Sequence, residues 1–444
     1  MSQSDLHRLT GPGIFRNLIR FALPFLGANI LMSLYGTADI LIVSYFANSA
    51  TLSATSTGAQ AIFTVMALAM GLNLGGTILI GQYFGAKKEN DVIQTIGSLF
   101  NLIFKIGLGA SVLLLLMGES LVGWLRTPLE AQQGAKAYVL ICGGGILFTF
   151  LYEALSAVLK GLGDSKTPLK FIGLACTLNV ILDLVFVAVL GWGAAGAAAA
   201  TVIAQAFSVF IGVLYLKRKR FIFDFRLKNL KARPDKIRMI LKLGIPTAIQ
   251  HTIILISFSI MTAVVNQLGV IESAVMGITN RIDGFLIMPT LAFSSAISVI
   301  TAQNMGIGRI KNAQKSVYCG FLLSLIIAIP SFLIMYYHPE SIMRLLSSEP
   351  EIIMVGGVFM HAYSPECLLL PIVFCMNGFF NGCGRTGFTM LSNMTASVVF
   401  RVPLILKATD IYTVGLATPI STIAQIIFTL GYFITGRWKK RLIR

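Results

Sequence analysis

Apolar stretches long enough to cross a membrane follow one another along almost the whole sequence of 444 residues. A helix needs about 20 mostly apolar residues to span the hydrocarbon core of a bilayer. Twelve such stretches can be placed, the first near residues 17–46 and the last near 411–436. They are too long for strands and lack the alternation of a membrane β-barrel. The sequence therefore predicts an all-α integral membrane protein with about twelve transmembrane helices.

The charged residues support this class and argue against others. Only 12% of the residues are charged, about half the fraction found in soluble domains. The net charge of +17 is unevenly distributed: with a cytoplasmic N-terminus, 28 of the 35 basic residues fall in cytoplasmic segments. This asymmetry predicts that both termini are cytoplasmic and that the basic residues set topology rather than bind nucleic acid. The expected location is the inner (plasma) membrane of a prokaryote.

The sequence also matches itself at a nearly constant offset. Four motifs recur in the same order, separated by 220 to 222 residues, which is strong support for an internal duplication. The matched pairs are Pro24 with Pro246, residues 81–85 with 302–306, 161–163 with 382–384, and 203–205 with 423–425.

The duplication defines the expected domains. Each copy holds six spans, so both copies have the same orientation and are related by an axis along the membrane normal. The predicted lobes are residues 1–216 and 238–444, joined by a basic cytoplasmic linker at 217–237. Parallel repeats of this kind recur in secondary transporters, with sites at or between the halves. Transport is therefore favoured over a receptor or an enzyme.

Charges inside the predicted spans are informative, because an ionised side chain at the bilayer centre costs roughly 2.5–3.5 kcal/mol on insertion scales. In the first copy, Asp39 lies late in span 1, Asn179 and Asp183 share one face of span 5, and Thr201 lies in span 6. Their oxygens suit Na⁺ or a shared proton, which is the chemistry of a coupling site. The alternative is a hydrogen-bond network that only fixes packing.

The second copy carries a different polar set that contains both acids and bases. It consists of His251, Arg281, Asp283, Glu366 and Arg401. Such a set forms either a neutralised structural cluster or a polar wall of a substrate cavity.

Two prolines, Pro24 and Pro246, are expected to bend the first span of each copy. Pro24 precedes Asp39 by fifteen residues, so the bend either couples ion binding to helix shape or is static.

Motifs of soluble enzymes are missing from the sequence. There is no HExxH, GxSxG or phosphate-binding loop, and the six cysteines show no metal spacing. No enzyme activity and no cofactor are expected. Without an ATP site, energy is expected to come from an ion gradient.

Several motifs together resemble one known family. They are Leu-Pro-Phe at 23–25 followed by Asp39, Gly-Gln-Tyr-Phe-Gly-Ala at 81–86, Gly-Leu-Gly-Asp-Ser-Lys-Thr-Pro at 161–168, and the segments 178–183 and 196–201. In order and in duplicated register, they resemble the multidrug and toxic compound extrusion (MATE) transporters, over nearly the whole chain. The pattern is most similar to the DinF-like (DNA-damage-inducible-F-like) branch.

The resemblance implies a two-lobed bundle with a V-shaped central cleft and Na⁺- or H⁺-driven efflux of bulky organic, often cationic, compounds. Asp39, Asn179, Asp183 and Thr201 match the family's amino-terminal-lobe cation site. Tyr35 and Tyr138 match tyrosines close to it. Other branches place acids in spans 7 and 10, where this sequence has Ile254 and Met376-Asn377, so a second-lobe cation site is not supported.

The main rival within the same superfamily is a flippase for lipid-linked oligosaccharides or lipids. Such transporters tend to line the cleft with basic residues that meet pyrophosphate. Here the first-copy candidates are acidic, and Arg281 and Arg401 are confined to the second copy. This favours cationic or neutral substrates. The expected partners are small organic compounds and the bilayer, and the protein is expected to be monomeric.

Overall fold

A computed structural model describes residues 8–11, 13–125, 127–219, 221–226, 229–440 and 442–443. Across these residues the chain is helical nearly throughout and forms no strand. The all-α membrane fold predicted from the sequence is confirmed. The predicted cytoplasmic ends at Met1 and Arg444 and the linker residues 220, 227 and 228 lie outside the described residues.

The first half contains six long helices that correspond to the six predicted spans. The fifth continues beyond its α-helical part as a π-helix, Leu184–Val189. The helices are α1 (Ile14–Phe46), α2 (Ser49–Gly85), α3 (Glu89–Trp124), α4 (Leu129–Gly161), α5 (Lys166–Asp183) and α6 (Gly193–Arg218).

The second half repeats this order, with an added short helix between its third and fourth spans and a break within the fourth; as in the first half, the fifth span contains a π-helix, Thr395–Arg401. Its α-helices are α7 (Pro234–Leu268), α8 (Val270–Ile307), α9 (Ile310–Tyr337), α10 (Pro339–Arg344), α11 (Pro350–Tyr363), α12 (Glu366–Gly382), α13 (Thr386–Met394), α14 (Val402–Leu406) and α15 (Ile411–Thr435). Short 3₁₀ turns lie at Arg8–Thr10 and Arg437–Lys439.

Eleven described helical segments are long and apolar enough to cross a membrane, and one bent pair makes a twelfth. The bent pair is α11 and α12, whose axes differ by 45°. The pair covers one apolar stretch of the sequence and can form a single broken span. The break lies at Ser364 and Pro365, and proline removes a backbone donor that a continuous helix requires. The copy-one counterparts are Gly143 and Gly144, which lie inside the unbroken α4.

Contacts divide the chain into two compact units that do not coincide with the halves. The first unit is Gly27–Ala248, and the second comprises the described residues up to Leu26 and those from Ile249 onward. Thus α1 and α7 each belong to both units. The change falls two residues after Pro24 in α1 and two residues after Pro246 in α7. The lobe boundaries predicted from the repeat stay a prediction.

Small residues explain why the start of α7 belongs to the first unit. Gly71 and Gly75 on α2 face Gly244 and Ala248 on α7. A Cβ on Gly75 would lie 2.7 Å from the Ile240 carbonyl oxygen, so the two backbones are in direct contact. Spacing small residues four apart on both helices is the usual way for membrane helices to approach this closely.

The repeat is visible in the ends of the helices. Helices α3 and α9 begin at Glu89 and Ile310, and α4 and α12 end at Gly161 and Gly382. Both pairs are 221 residues apart, which is the offset of the sequence motifs. The glycine pair has a packing reason, because in each copy a Cβ at this position would collide with a backbone carbonyl of the neighbouring helix.

Candidate ion-coupling site

The four residues predicted to bind the coupling ion converge in the first unit. Asp39 is on α1, Asn179 and Asp183 are one turn apart on α5, and Thr201 is on α6. Asn179 and Asp183 are fully buried, and the side chain of Asp39 is nearly so. The carboxyl groups of Asp39 and Asp183 are close enough to interact with each other.

The backbone around Asp183 departs from a regular α-helix. The α-helical part of α5 ends at Asp183, and the π-helical turns from Leu184 to Val189 follow directly. Gly196 of α6 fits against this segment, since a Cβ there would lie 3.1 Å from the backbone of Phe186. π-helical turns inside α-helices frequently accompany functional sites. Here the turn lies immediately beyond the buried carboxylate.

The two tyrosines predicted near the site are both beside it. The Tyr35 hydroxyl and Thr201 Oγ1 are hydrogen-bonded at 3.0 Å, which links α1 to α6. Tyr138 on α4 is buried, and its ring lies against Gly58 of α2. A Cβ on Gly58 would lie 2.5 Å from Tyr138 Cδ1, so only glycine leaves room for the ring. No sequence signal distinguished Gly58 from the other glycines.

Much of the polar chemistry of this site is unsatisfied within the described part of the chain. The atoms without a hydrogen-bond partner are Asp39 Oδ1, both carboxylate oxygens of Asp183, and the amide oxygen and nitrogen of Asn179. Carboxylate oxygens are acceptors only, so the facing pair cannot satisfy itself without a proton or a cation. The donor set of carboxylates, an amide and a hydroxyl fits a small hard cation as well as it fits a proton.

The acids of the second unit lie in a different environment. Tyr363 Oη donates to Asp283 Oδ1 at 2.6 Å, and Thr422 Oγ1 donates to Glu366 Oε1 at 2.8 Å. Glu366 is almost completely buried, and its Oε2 has no partner among the described residues. Each acid here therefore has one hydroxyl donor that the sequence analysis did not identify.

Arg401 supplies a positive charge next to these acids. It ends the π-helical segment before α14 and is buried, with Nε donating to Ser421 Oγ at 3.3 Å. Its guanidinium carbon lies 5.0 Å from the centroid of the Phe258 ring. Ser421 is the counterpart of Thr201 at the offset of 220 residues, so the repeat could have identified it.

The remaining predicted residues of this set lie elsewhere on their helices. Arg281 is exposed on α8 and His251 is half-buried on α7.

Pro24 and Pro246 both lie inside their helices, as predicted. Proline also occurs inside four other helices, so it does not by itself identify a hinge. The described residues contain no group of three or more His, Cys, Asp or Glu side chains placed to hold a metal.

A duplicated bundle of membrane-spanning helices with a buried, unsatisfied acidic pair is typical of a transporter. The sequence model of the MatE family matches residues 24–185 and, separately, 246–406. The chain therefore belongs to the MatE family, whose members are transporters rather than enzymes. The two matches begin at the two prolines that the repeat had aligned.

Relatives match the chain over nearly its full length. It is 26% identical to the probable multidrug resistance protein YpnP of Bacillus subtilis, with 97% of each chain covered. It is 27% identical to the probable multidrug resistance protein NorM of Thermotoga maritima, covering 97% of this chain and 95% of that protein. These names do not favour the flippase alternative.

Solved structures show the same fold. An outward-facing multidrug resistance MATE transporter superposes with a TM-score of 0.91 at 20% identity, covering 99% of this chain and 100% of that chain. A transporter of the MOP superfamily from Pyrococcus furiosus, described as having a binding pocket of reversed polarity, gives the same values.

Proposed function

We propose that this protein is an ion-coupled secondary antiporter that exports bulky organic, cationic or neutral compounds by alternating access. The relatives are named for multidrug resistance, which supports the substrate class. The observation that carries the coupling proposal is the facing Asp39–Asp183 pair, whose buried oxygens lack partners. Either Na⁺ or H⁺ serves this role, since the same oxygens can accept both.

The geometry supports a route from ion binding to helix movement. Asp39 is on α1, while Asp183 is on α5. Binding of a positive charge draws the two carboxylates together, and its release leaves them to repel each other in a medium of low dielectric constant. The Tyr35–Thr201 hydrogen bond links α1 to α6 one helical turn from Asp39. Ion occupancy therefore acts on the position of α1 relative to its neighbours.

The segment of α1 before Gly27 belongs to the second unit, so this helix continues from one unit into the other. Pro24 lies just before the point where the helix changes units, and it removes one backbone hydrogen bond. We propose Pro24 and Pro246 as the positions where α1 and α7 bend during transport. The second-unit residues His251, Arg281, Asp283, Glu366 and Arg401 are proposed as polar residues of the transport pathway rather than as the coupling site.

Reconstituted vesicles test this function. Purified protein is incorporated into liposomes, and efflux of a fluorescent organic cation is followed under an imposed Na⁺ gradient or an imposed pH gradient, each applied separately. Efflux driven by one of the two gradients supports the proposal and identifies the ion. Efflux that proceeds equally with no gradient, or that neither gradient drives, contradicts it.

A further inference from the structure

In the first copy, the linker between α6 and α7 covers the groove alongside the start of α3. Asn101 Nδ2 donates to the Leu230 carbonyl oxygen, and the Arg233 backbone nitrogen donates to Ser98 Oγ, both at 3.0 Å. Phe223 and Phe225 pack against the ring of Phe100. This groove is therefore filled by the chain itself.

The groove of the first copy contains Asp91, which pairs with a lysine from the same chain. Lys236, at the start of α7, is 4% exposed. Its Nζ forms an ion pair with Asp91 and donates to the Tyr83 hydroxyl at 2.9 Å. Charge is thus balanced inside the first unit by a segment of the same chain.

The second copy has the same helix start, so the two grooves can be compared position by position. Lys88 and Arg309 directly precede α3 and α9 and have nearly identical backbones, with φ, ψ of −91°, 72° and −86°, 66°. At the same offset, Asp91 corresponds to Asn312, Gln94 to Lys315 and Ser98 to Cys319.

This second groove is open. A cavity of about 600 Å³ lies between the start of α1 and the first turns of α9. That size is typical of sites for small molecules, about 300–1,000 Å³. It is lined by Gly13, Ile14, Phe15, Arg309, Asn312, Lys315 and Cys319.

The second groove carries a positive charge that the first groove does not. None of the described residues lining the cavity is acidic, whereas Arg309 and Lys315 are both basic and exposed. At the spacing of the two prolines, Ile14 of α1 corresponds to Lys236 of α7, so an apolar side chain borders this groove where a lysine enters the other one. The groove therefore offers positive charge and apolar contacts, which suit an anionic ligand.

Apolar side chains continue from the groove along the outer face of α9. Tyr318, Leu322 and Ile326 follow at four-residue spacing and are 59%, 59% and 67% exposed. In a helix of this hydropathy such a stripe faces lipid tails. The cations at the start of α9 match the phosphate of a phospholipid, and the apolar stripe further along the helix matches its acyl chains.

We propose that the groove between α1 and α9 binds the headgroup of an anionic phospholipid, whose phosphate contacts Arg309 and Lys315. Basic pockets between membrane helices are known to hold such headgroups. Arg309 Nη1 also donates to the Thr10 carbonyl oxygen at 2.6 Å, so the lipid would join the contacts that hold the segment before α1 against α9. The proposal does not depend on the coupling ion or on the exported substrate.

Native mass spectrometry of the full-length protein in detergent tests the proposal, with phosphatidylglycerol and phosphatidylcholine as the two added lipids. Phosphatidylglycerol is expected to be retained preferentially. Lys315→Gln, which restores the residue of the first copy, should weaken its binding about fivefold, and Arg309→Gln with Lys315→Gln about 25-fold. Asn312→Asp should also weaken it, by placing an acid in the groove. Lys311→Gln is the matched control, because Lys311 is exposed on the same helix but does not line the cavity.

The outcomes separate the candidate occupants. Selective loss in Lys315→Gln and Asn312→Asp, with no change in Lys311→Gln, supports the proposal. Equal retention of both lipids, or equal effects of Lys311→Gln and Lys315→Gln, overturns it. Stabilisation by soluble glycerol phosphate to the same extent as by phosphatidylglycerol also overturns it, because the site would then bind a free phosphate.

Discussion

The two copies place different chemistry on one helical framework. At the offsets of the repeat, Thr201 of the first copy corresponds to Ser421, Cys142 to Tyr363, and Gly145 to Glu366. In the first copy, Gly145 lies against Val202. In the second, Glu366 accepts a hydrogen bond from Thr422, which is the residue equivalent to Val202. The second-copy acid therefore occupies a place that the first copy fills with apolar packing.

The acids of the first copy have the opposite distribution. Asp39 and Asp183 correspond to Met261 and Leu404 in the second copy. They face each other with unpartnered oxygens. In contrast, Asp283 and Glu366 each accept a hydroxyl hydrogen bond and lie near Arg401. Because Arg401 already supplies a positive charge near these two acids, they have less need of a bound Na⁺ or H⁺. This contrast assigns ion coupling to the first copy alone, as a proposal open to the tests below.

The largest expected effect comes from removing either charge of the acidic pair. Asp39→Asn and Asp183→Asn should each reduce gradient-driven efflux to the level of vesicles without transporter. With one carboxylate replaced by an amide, the repulsion between two facing carboxylates, which a bound cation relieves, is lost. Insertion and folding should be unaffected, since the amide keeps the volume of the side chain. Efflux assays with size-exclusion chromatography as the folding control measure both. Wild-type efflux in both variants would remove the coupling assignment.

Arg401 should matter for stability rather than for coupling. Arg401→Met leaves Glu366 and Asp283 without a nearby cation, and breaking a buried charge arrangement of this kind costs about 3–5 kcal/mol. Adding Glu366→Gln should recover part of that loss. Arg281→Met is the matched control, because Arg281 is exposed on the same unit. Thermal unfolding in detergent gives the comparison. Equal unfolding temperatures for the two arginine variants would contradict a compensating role for Arg401.

Gly58 tests whether close packing positions Tyr138 beside the ion site. Gly58→Ala forces the added methyl group against the tyrosine ring, and overpacking of this size costs about 1–3 kcal/mol. Transport should fall as well, because the ring must move. Gly109→Ala is the control, since a Cβ there meets nothing within 4 Å. If both variants unfold at the same temperature and transport equally well, Gly58 has no positioning role.

The Tyr35–Thr201 hydrogen bond should give the smallest effect. Tyr35→Phe and Thr201→Val each remove one partner, and their coupling energy in a double-mutant cycle should be about 0.5–1.5 kcal/mol. The corresponding pair in the second copy is Ser257 with Ser421, and the Ser257 hydroxyl has no partner among the described residues. A cycle on that pair should give a coupling energy near zero. Similar coupling energies in the two copies would show that the two hydroxyl pairs do not differ.

Much of the first-copy site could be predicted from the sequence. Charged residues such as Asp39 and Asp183 are conspicuous in apolar spans, and the spacing of Asn179 and Asp183 places them on one helix face. The resemblance to a family then predicted that Tyr35 and Tyr138 lie near the same site. The repeat could also be recognised in the sequence, because the glycine turns and prolines recur at nearly the same offset.

Other features depend on how helices cross, which one sequence does not encode locally. The contact of Gly58 with Tyr138 joins α2 to α4, and no periodicity distinguishes that glycine. The change of α1 and α7 between units was not predicted either, because helices apolar on all faces carry no pattern that selects a neighbour. Tyr363 and Thr422 were missed for a simpler reason: hydroxyl groups are common in membrane helices and become informative only next to a charge.

Equilibrium binding of the coupling ion to purified protein shows directly which copy carries the coupling site. Tracer Na⁺ binding at fixed pH and proton uptake in weakly buffered solution are measured for three proteins: unaltered, Asp39→Asn with Asp183→Asn, and Asp283→Asn with Glu366→Gln. If the first copy alone couples transport to an ion, the first double variant binds none and the second binds as the unaltered protein does. Loss of binding only in the Asp283–Glu366 variant would instead place the coupling site in the second copy.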